Sequence, residues 1–180
     1  MVDLSGVSFG YQSDKNVLDN LNLRMEEGRF YGLLGMNGSG KTTLLKLIAG
    51  KLFAHGGEIY VDGRNLRERD VETLQKVFML PADFIFPNMS LEQFLAIYSE
   101  FYPEFRKEVL NDCLVNFEIQ RDIKNLNQLS LGEKHKVAFS IALSLGTKIV
   151  LLDEAANGMD IPARKMFRKL LMKHVREDQI

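Results

Sequence analysis

The chain has 180 residues, 46% hydrophobic and 26% charged, with 23 basic side chains against 24 acidic ones. A chain of this length buries roughly 70% of its unfolded surface, so it can hold a core without disulfides, and its single cysteine, Cys113, could not form one within the chain. The balanced charge speaks against binding nucleic acid through bulk positive field; no run approaches a membrane span, and the N-terminus lacks the pattern of a signal peptide.

Along the chain, short β-type runs alternate with longer helical patterns, which reads as α/β with a largely parallel sheet. Val17 to Met25 alternates apolar and polar residues and reads as a strand. Arg29 to Leu34 is a compact apolar run ending at a glycine cluster, and reads as a buried strand. Lys41 to Ala49 follows as a helix with Gly50 as its C-terminal signal, and Glu58 to Val61 is a strand ending at the Asp62-Gly63 turn. Ser90 to Gln93 has the form of a capping box, and Phe94, Leu95, Ile97, Tyr98 and Phe101 line one helix face up to Pro103; a further helix is expected near Glu104. Residues 83 to 130 thus read as a helical insertion. Leu131 to Leu145 reads as a helix, and Lys148 to Leu152 as a strand buried on both faces. The last helix follows Asp160, with Pro162 in its first turn and Phe167, Leu170, Leu171 and Val175 on one side. The many lysines and arginines of this helix read as a solvated face ahead of one that meets an anionic membrane surface.

The segment Gly35-Met36-Asn37-Gly38-Ser39-Gly40-Lys41-Thr42-Thr43 matches G-x-x-x-x-G-K-[ST]. Glycines let backbone N–H groups turn inward on a polyphosphate, the helix N-terminus adds partial positive charge, Lys41 supplies a point charge, and Thr42 offers a hydroxyl to Mg²⁺. A second acidic pair, Asp153 and Glu154, stands at the end of the strand 149–152, where side chains of a parallel sheet reach a ligand crevice. Asp153 suits a Mg²⁺ site through water. Glu154 suits the role of orienting or deprotonating an attacking water.

With these residues in place, the chain resembles the nucleotide-binding subunit of ATP-binding cassette (ABC) transporters over essentially its whole length. Leu129-Ser130-Leu131-Gly132-Glu133 stands where that family has Leu-Ser-Gly-Gly-Gln: Ser130 and Gly132 match, Leu131 and Glu133 do not. Ser130-x-x-Glu133 is equally a capping box. The resemblance implies a P-loop NTPase (RecA-like) sheet with an N-terminal antiparallel β-subdomain and a helical subdomain at about 83–130. It also implies ATP and Mg²⁺ as ligands, Tyr11 as the residue stacking on adenine, and Ser130 with Gly132 closing on the γ-phosphate held by the other subunit of a dimer. Asp160, in Asn157-Gly158-Met159-Asp160, would communicate across that dimer; its other reading is the N-cap of the last helix.

Two departures stand out. Ala82 replaces the family glutamine that senses Mg²⁺, leaving Asp83 as a substitute, and the switch histidine is missing, since His55, His135 and His174 do not stand at its place. The chain ends at Ile180, where the strand carrying that histidine would begin, so a fragment or a degenerate copy is expected. The implied function is an ATP hydrolase working as a homodimer, or as a heterodimer with a paralogous ATPase. It would power a separate transmembrane permease docked near residues 82–102, at the cytoplasmic face of the membrane, with no nucleic acid involved. A soluble nucleotide switch and a non-hydrolysing binding module are the alternative readings.

Overall fold

The computed structural model describes residues 1–12 and 15–180. The described chain divides into two compact units, residues 1–79 with 176–180, and residues 80–175.

The first unit is built on an antiparallel sheet of order β2-β1-β3-β4, from β1 (Val2–Phe9), β2 (Leu18–Met25), β3 (Gly56–Val61) and β4 (Arg64–Asn65). In β1 the buried residues are Val2, Leu4, Val7 and Phe9, a series that changes phase halfway. The change is a register shift between Leu4 and Val7, where Gly6 takes φ 60°. One extra residue in a strand reverses the alternation of side chains, so both halves of β1 keep their apolar residues on the buried side. Helix α1 (Lys41–Ile48) ends as its sequence predicts: Gly50, just past the C-cap Ala49, has φ 66° and donates its N–H to the Leu47 carbonyl at 3.0 Å. A short helix, α2 (Val71–Gln75), is capped by Asp70 through the Thr73 N–H and leads into β5 (Val77–Leu80).

The run Arg29 to Leu34 does not form the expected buried strand. It belongs to no sheet among the described residues, and Phe30, Tyr31, Leu33 and Leu34 are exposed, Leu34 at 94%. An apolar run becomes a strand only when a neighbour takes its backbone hydrogen bonds, and among the described residues no strand pairs with it. The glycine loop is therefore entered from irregular chain rather than from a strand.

The second unit gathers α3 (Leu91–Phe101), α4 (Lys107–Asn116), α5 (Leu131–Ser144), β6 (Ile149–Leu152) and α6 (Ile161–His174). The capping box at α3 is complete: Gln93 N–H reaches Ser90 Oγ at 3.1 Å, and Ser90 N–H reaches the Gln93 side chain at 3.0 Å. Helix α4 starts at Lys107, three residues later than the Glu104 expectation, because Arg106 is extended and serves as its N-cap residue. Helix α5 is the centre of the unit, buried without a break from Val137 to Ser144. Its Phe139 meets Phe167 of α6 at a centroid distance of 4.0 Å and Phe117, at the end of α4, at 6.0 Å. The hydroxyls of Ser140 and Ser144 are satisfied inside this apolar setting by the carbonyls of Lys136 and Ile141. In β6 only alternate residues are fully buried, Ile149 and Leu151, while Val150 and Leu152 are half-buried, so the expectation of burial on both faces holds only in part.

Arg106 ties helix ends together. Its Nη2 donates to the Leu143 carbonyl at 2.8 Å, its Nη1 to the His174 carbonyl at 3.1 Å, and its backbone N–H to the Ser144 carbonyl at 2.7 Å. The last carbonyls of a helix have no intrahelical partner, and a guanidinium can serve two such ends at once.

Candidate nucleotide-binding site

In the first unit, the loop Gly35 to Gly40 delivers the chain into α1 without a side-chain cap and with no acidic residue in the first turn. The first N–H groups of a helix are unpaired and its N-terminal dipole is positive, so this helix start is left open to an anion. Two glycines suit the backbone: Gly38 takes φ 81°, and Gly40 takes φ 93° with Val17 Cγ1 only 3.0 Å from where its Cβ would stand, whereas a Cβ on Gly35 would meet only the Ser39 hydroxyl, which can turn aside. Within the loop the Ser39 N–H donates to the Met36 carbonyl at 3.2 Å. Met36, Asn37 and Gly38 are exposed, with Gly38 at φ 81°.

Lys41 bends back over the loop, its Nζ donating to the carbonyls of Gly35 and Met36 at 2.9 Å each. The ammonium is thereby held at the loop by the main chain, where it can exchange these carbonyls for phosphate oxygens. Thr42, one residue further, is exposed, whereas Thr43 is buried. The Tyr11 hydroxyl and Thr43 Oγ1 are 3.2 Å apart, and the Tyr11 ring stands edge-on to Phe9 at 5.1 Å with 61% of the residue exposed. Tyr11 is thus fixed beside the start of α1, with much of its ring left uncovered.

In the second unit, Asp153 follows β6 and is buried, its N–H donating to the Leu80 carbonyl at 3.0 Å. Glu154 is exposed and takes φ 51°, a left-handed backbone uncommon for a residue with a Cβ. Such outliers persist where the surroundings hold them. The Asn157 N–H donates to the Glu154 carbonyl at 2.9 Å, and Asn157 Nδ2 to Glu154 Oε2 at 2.5 Å. Sequence reading passed over Asn157 as a partner of Glu154; its place three residues on, before a glycine, is the signal of a side chain closing a turn.

Ser130 and Glu133 form the second capping box, at the start of α5. The Ser130 N–H and Oγ reach Glu133 Oε2 at 2.9 and 2.6 Å, and the Glu133 N–H reaches Ser130 Oγ at 3.3 Å. The Ser130 hydroxyl and N–H hold the Glu133 carboxyl below its ordinary value. The departure from glutamine to glutamate thus places a carboxylate on Ser130. Gly132 lies beside the turn 154–158: a Cβ there would stand 3.3 Å from the Gly158 carbonyl oxygen, and one on Gly158 would stand 3.3 Å from Leu131 Cγ. Asp160 caps α6, its Oδ1 accepting from the Ala163 N–H at 2.8 Å. Asp83 and Ala82 are both exposed. His135 is buried against the Phe84 ring at 5.2 Å, and its Nδ1 has no hydrogen-bond partner among the described residues.

Thr42, in the first unit, and Asp153, in the second, each carry a hard oxygen donor of the type Mg²⁺ takes, an ion that accepts one or two protein oxygens and completes its shell with phosphates and water. Among the described residues no cluster of three or more His, Cys, Asp or Glu could hold a metal ion by itself.

A family model described as "ABC transporter" matches residues 18–157. The ABC transporter ATP-binding protein YtrB of Bacillus subtilis (strain 168) is 29% identical over 177 residues, 98% of this chain. The chain spans 60% of that relative's length. Among solved structures, the ATP-binding cassette MJ0796, dimeric in a post-hydrolysis state with ADP and Pi, is 27% identical with a TM-score of 0.81, over 96% of this chain and 82% of that one. An ATP-binding subunit of an ABC transporter shares the fold at a TM-score of 0.87 with 24% identity, over 97% of this chain and 74% of that one.

Proposed function

As a member of the ABC transporter family, to which residues 18–157 assign it, this chain, we propose, binds ATP with Mg²⁺ and hydrolyses it to drive transport by a separate permease. The observation that carries the reading is the loop Gly35–Gly40 running into an uncapped helix with the Lys41 ammonium held at its mouth. That arrangement suits a polyphosphate, because it offers the N–H groups of a helix start, a positive helix end and a point charge together. On this reading Thr42 and Asp153 would hold Mg²⁺, which would supply positive charge against the phosphates, and Glu154 takes the proton of the attacking water. Tyr11 supplies the adenine platform. Ser130 and Gly132 meet the nucleotide of a second subunit, and Asp160 keeps the α6 start in place at that junction. The second subunit is another copy or a paralogous ATPase.

The permease is assigned to a separate polypeptide that docks near residues 82–102 at the cytoplasmic face of the membrane. No helix among the described residues is long and apolar enough to cross a membrane. The test is nucleotide binding and phosphate release by the full chain. Lys41→Ala should weaken ATP binding about 100-fold, the loss of roughly 2.7 kcal/mol of phosphate contact. Glu154→Gln should bind ATP with unchanged affinity, accumulate an ATP-bound dimer and release phosphate at under a hundredth of the wild-type rate. Equal ATP affinity in Lys41→Ala, or equal turnover in Glu154→Gln, would contradict the assignment.

A further inference from the structure

The turn after β6 contains a contact that the reading above leaves without a role. Glu154 is held in its left-handed backbone at φ 51° by Asn157, whose N–H donates to the Glu154 carbonyl at 2.9 Å. The same residue reaches the carboxylate, Nδ2 donating to Oε2 at 2.5 Å. The amide must present its nitrogen here, because its oxygen would face a negative charge. One residue therefore fixes both, its backbone N–H holding the main chain of Glu154 and its side-chain amide holding the carboxylate. The turn is seated at its far end as well: Gly158 takes φ 71°, and a Cβ there would lie 3.3 Å from Leu131 Cγ and 3.7 Å from His135 Cδ2. Leu131 stands where the family has glycine, so a side chain lies beside Gly158 at that point.

We propose that Asn157 is a positioning residue for Glu154. By engaging Oε2 it sets the plane of the carboxylate and leaves Oε1 to accept the proton of the water. As the water oxygen bonds to the γ-phosphorus, the bond from phosphorus to the bridging oxygen breaks, its electron pair leaves with ADP, and the proton passes to Oε1. Asn157 touches none of the reacting atoms. It acts by removing the freedom of the group that does, and general bases work only when held within hydrogen-bond reach of the proton they take.

The inference rests on Glu154 being the base, and its test separates the two ideas. In steady-state hydrolysis by the full chain, Asn157→Ala should lower kcat about 10-fold, part of the 10²- to 10⁴-fold a positioned base contributes, with KM for ATP changed less than about twofold. Asn157→Asp should lower it further, since it sets two carboxylates against each other. In a Glu154→Gln background, Asn157→Ala should cost nothing more, because the two residues act as one unit. A kcat within about twofold of wild type in Asn157→Ala, or the same loss repeated in the Glu154→Gln background, would overturn the proposal. The nucleotide-free chain gives a second readout: the Asn157 side-chain amide resonance should shift in Glu154→Ala, and an unmoved resonance would also overturn it. Wild-type turnover in Glu154→Gln defeats the underlying assignment of the base, and with it the proposal, whatever Asn157 does.

Discussion

Replacing Asp112 by alanine should destabilise the second unit by about 2 kcal/mol at neutral pH, and the loss should fade in acid. Asp112, on α4, receives two donors from the last turn of α6 on one oxygen, Lys173 Nζ at 2.8 Å and His174 Nε2 at 2.6 Å. The two are not equal. Lys173 is 53% exposed, and a pair so open to water is worth about 0.5 kcal/mol, while His174 is 12% exposed and its bond to a carboxylate is worth about 1.5 kcal/mol. The Lys173 hydrogen bond, opposed in part by burial and reinforced by the His174 bond, holds the Asp112 carboxyl below its ordinary value. A carboxyl depressed in the folded state adds stability above its unfolded value, about 3.9, and that stability is lost as the pH falls through the lower folded value. Urea melts of wild type and Asp112→Ala at pH 7 and near pH 3 measure this. The gap expected at pH 7 is about 2 kcal/mol, or roughly 4 to 8 °C in Tm for a chain of this size, and it should close at the acid end. Equal midpoints at pH 7, or a gap that persists undiminished in acid, would refute the reasoning.

Two further predictions concern the same unit. Arg106→Ala removes the guanidinium bonds to the Leu143 and His174 carbonyls, and should cost about 3 kcal/mol in chemical denaturation, with lysine at the position recovering less than half because it lacks the fork. Glu154→Gly should abolish phosphate release while leaving the melting temperature within about 2 °C of wild type, since the roughly 1 kcal/mol cost of φ 51° that glycine removes is offset by loss of the Asn157–carboxylate hydrogen bond, worth about 1 kcal/mol. Thermal melts and phosphate assays on the same samples check both halves, and a larger shift in either direction, or retained phosphate release, would refute it.

Much of this chain's local structure follows from residues three or four apart. The boxes Ser90/Gln93 and Ser130/Glu133, the Asp160 cap, the Gly50 stop and the phosphate loop are closed by neighbours in sequence, so their letters specify their geometry wherever the segment lies. β1 was harder to read, because its bulge at Gly6 sets Val2 and Leu4 out of phase with Val7 and Phe9 and hides the period of two. Tertiary structure alone decided the rest. Arg29 to Leu34 has the composition of a strand, but only a partner strand can make it one. Asp112 meets Lys173 and His174 across some sixty residues of sequence, and Arg106 joins the ends of α5 and α6; no local pattern encodes such meetings. The order of neighbouring residues therefore fixed the caps and the loop of a protein whose length and composition allowed a core, while long-range hydrogen bonds, available only once the helices pack, chose the partners of its charged side chains.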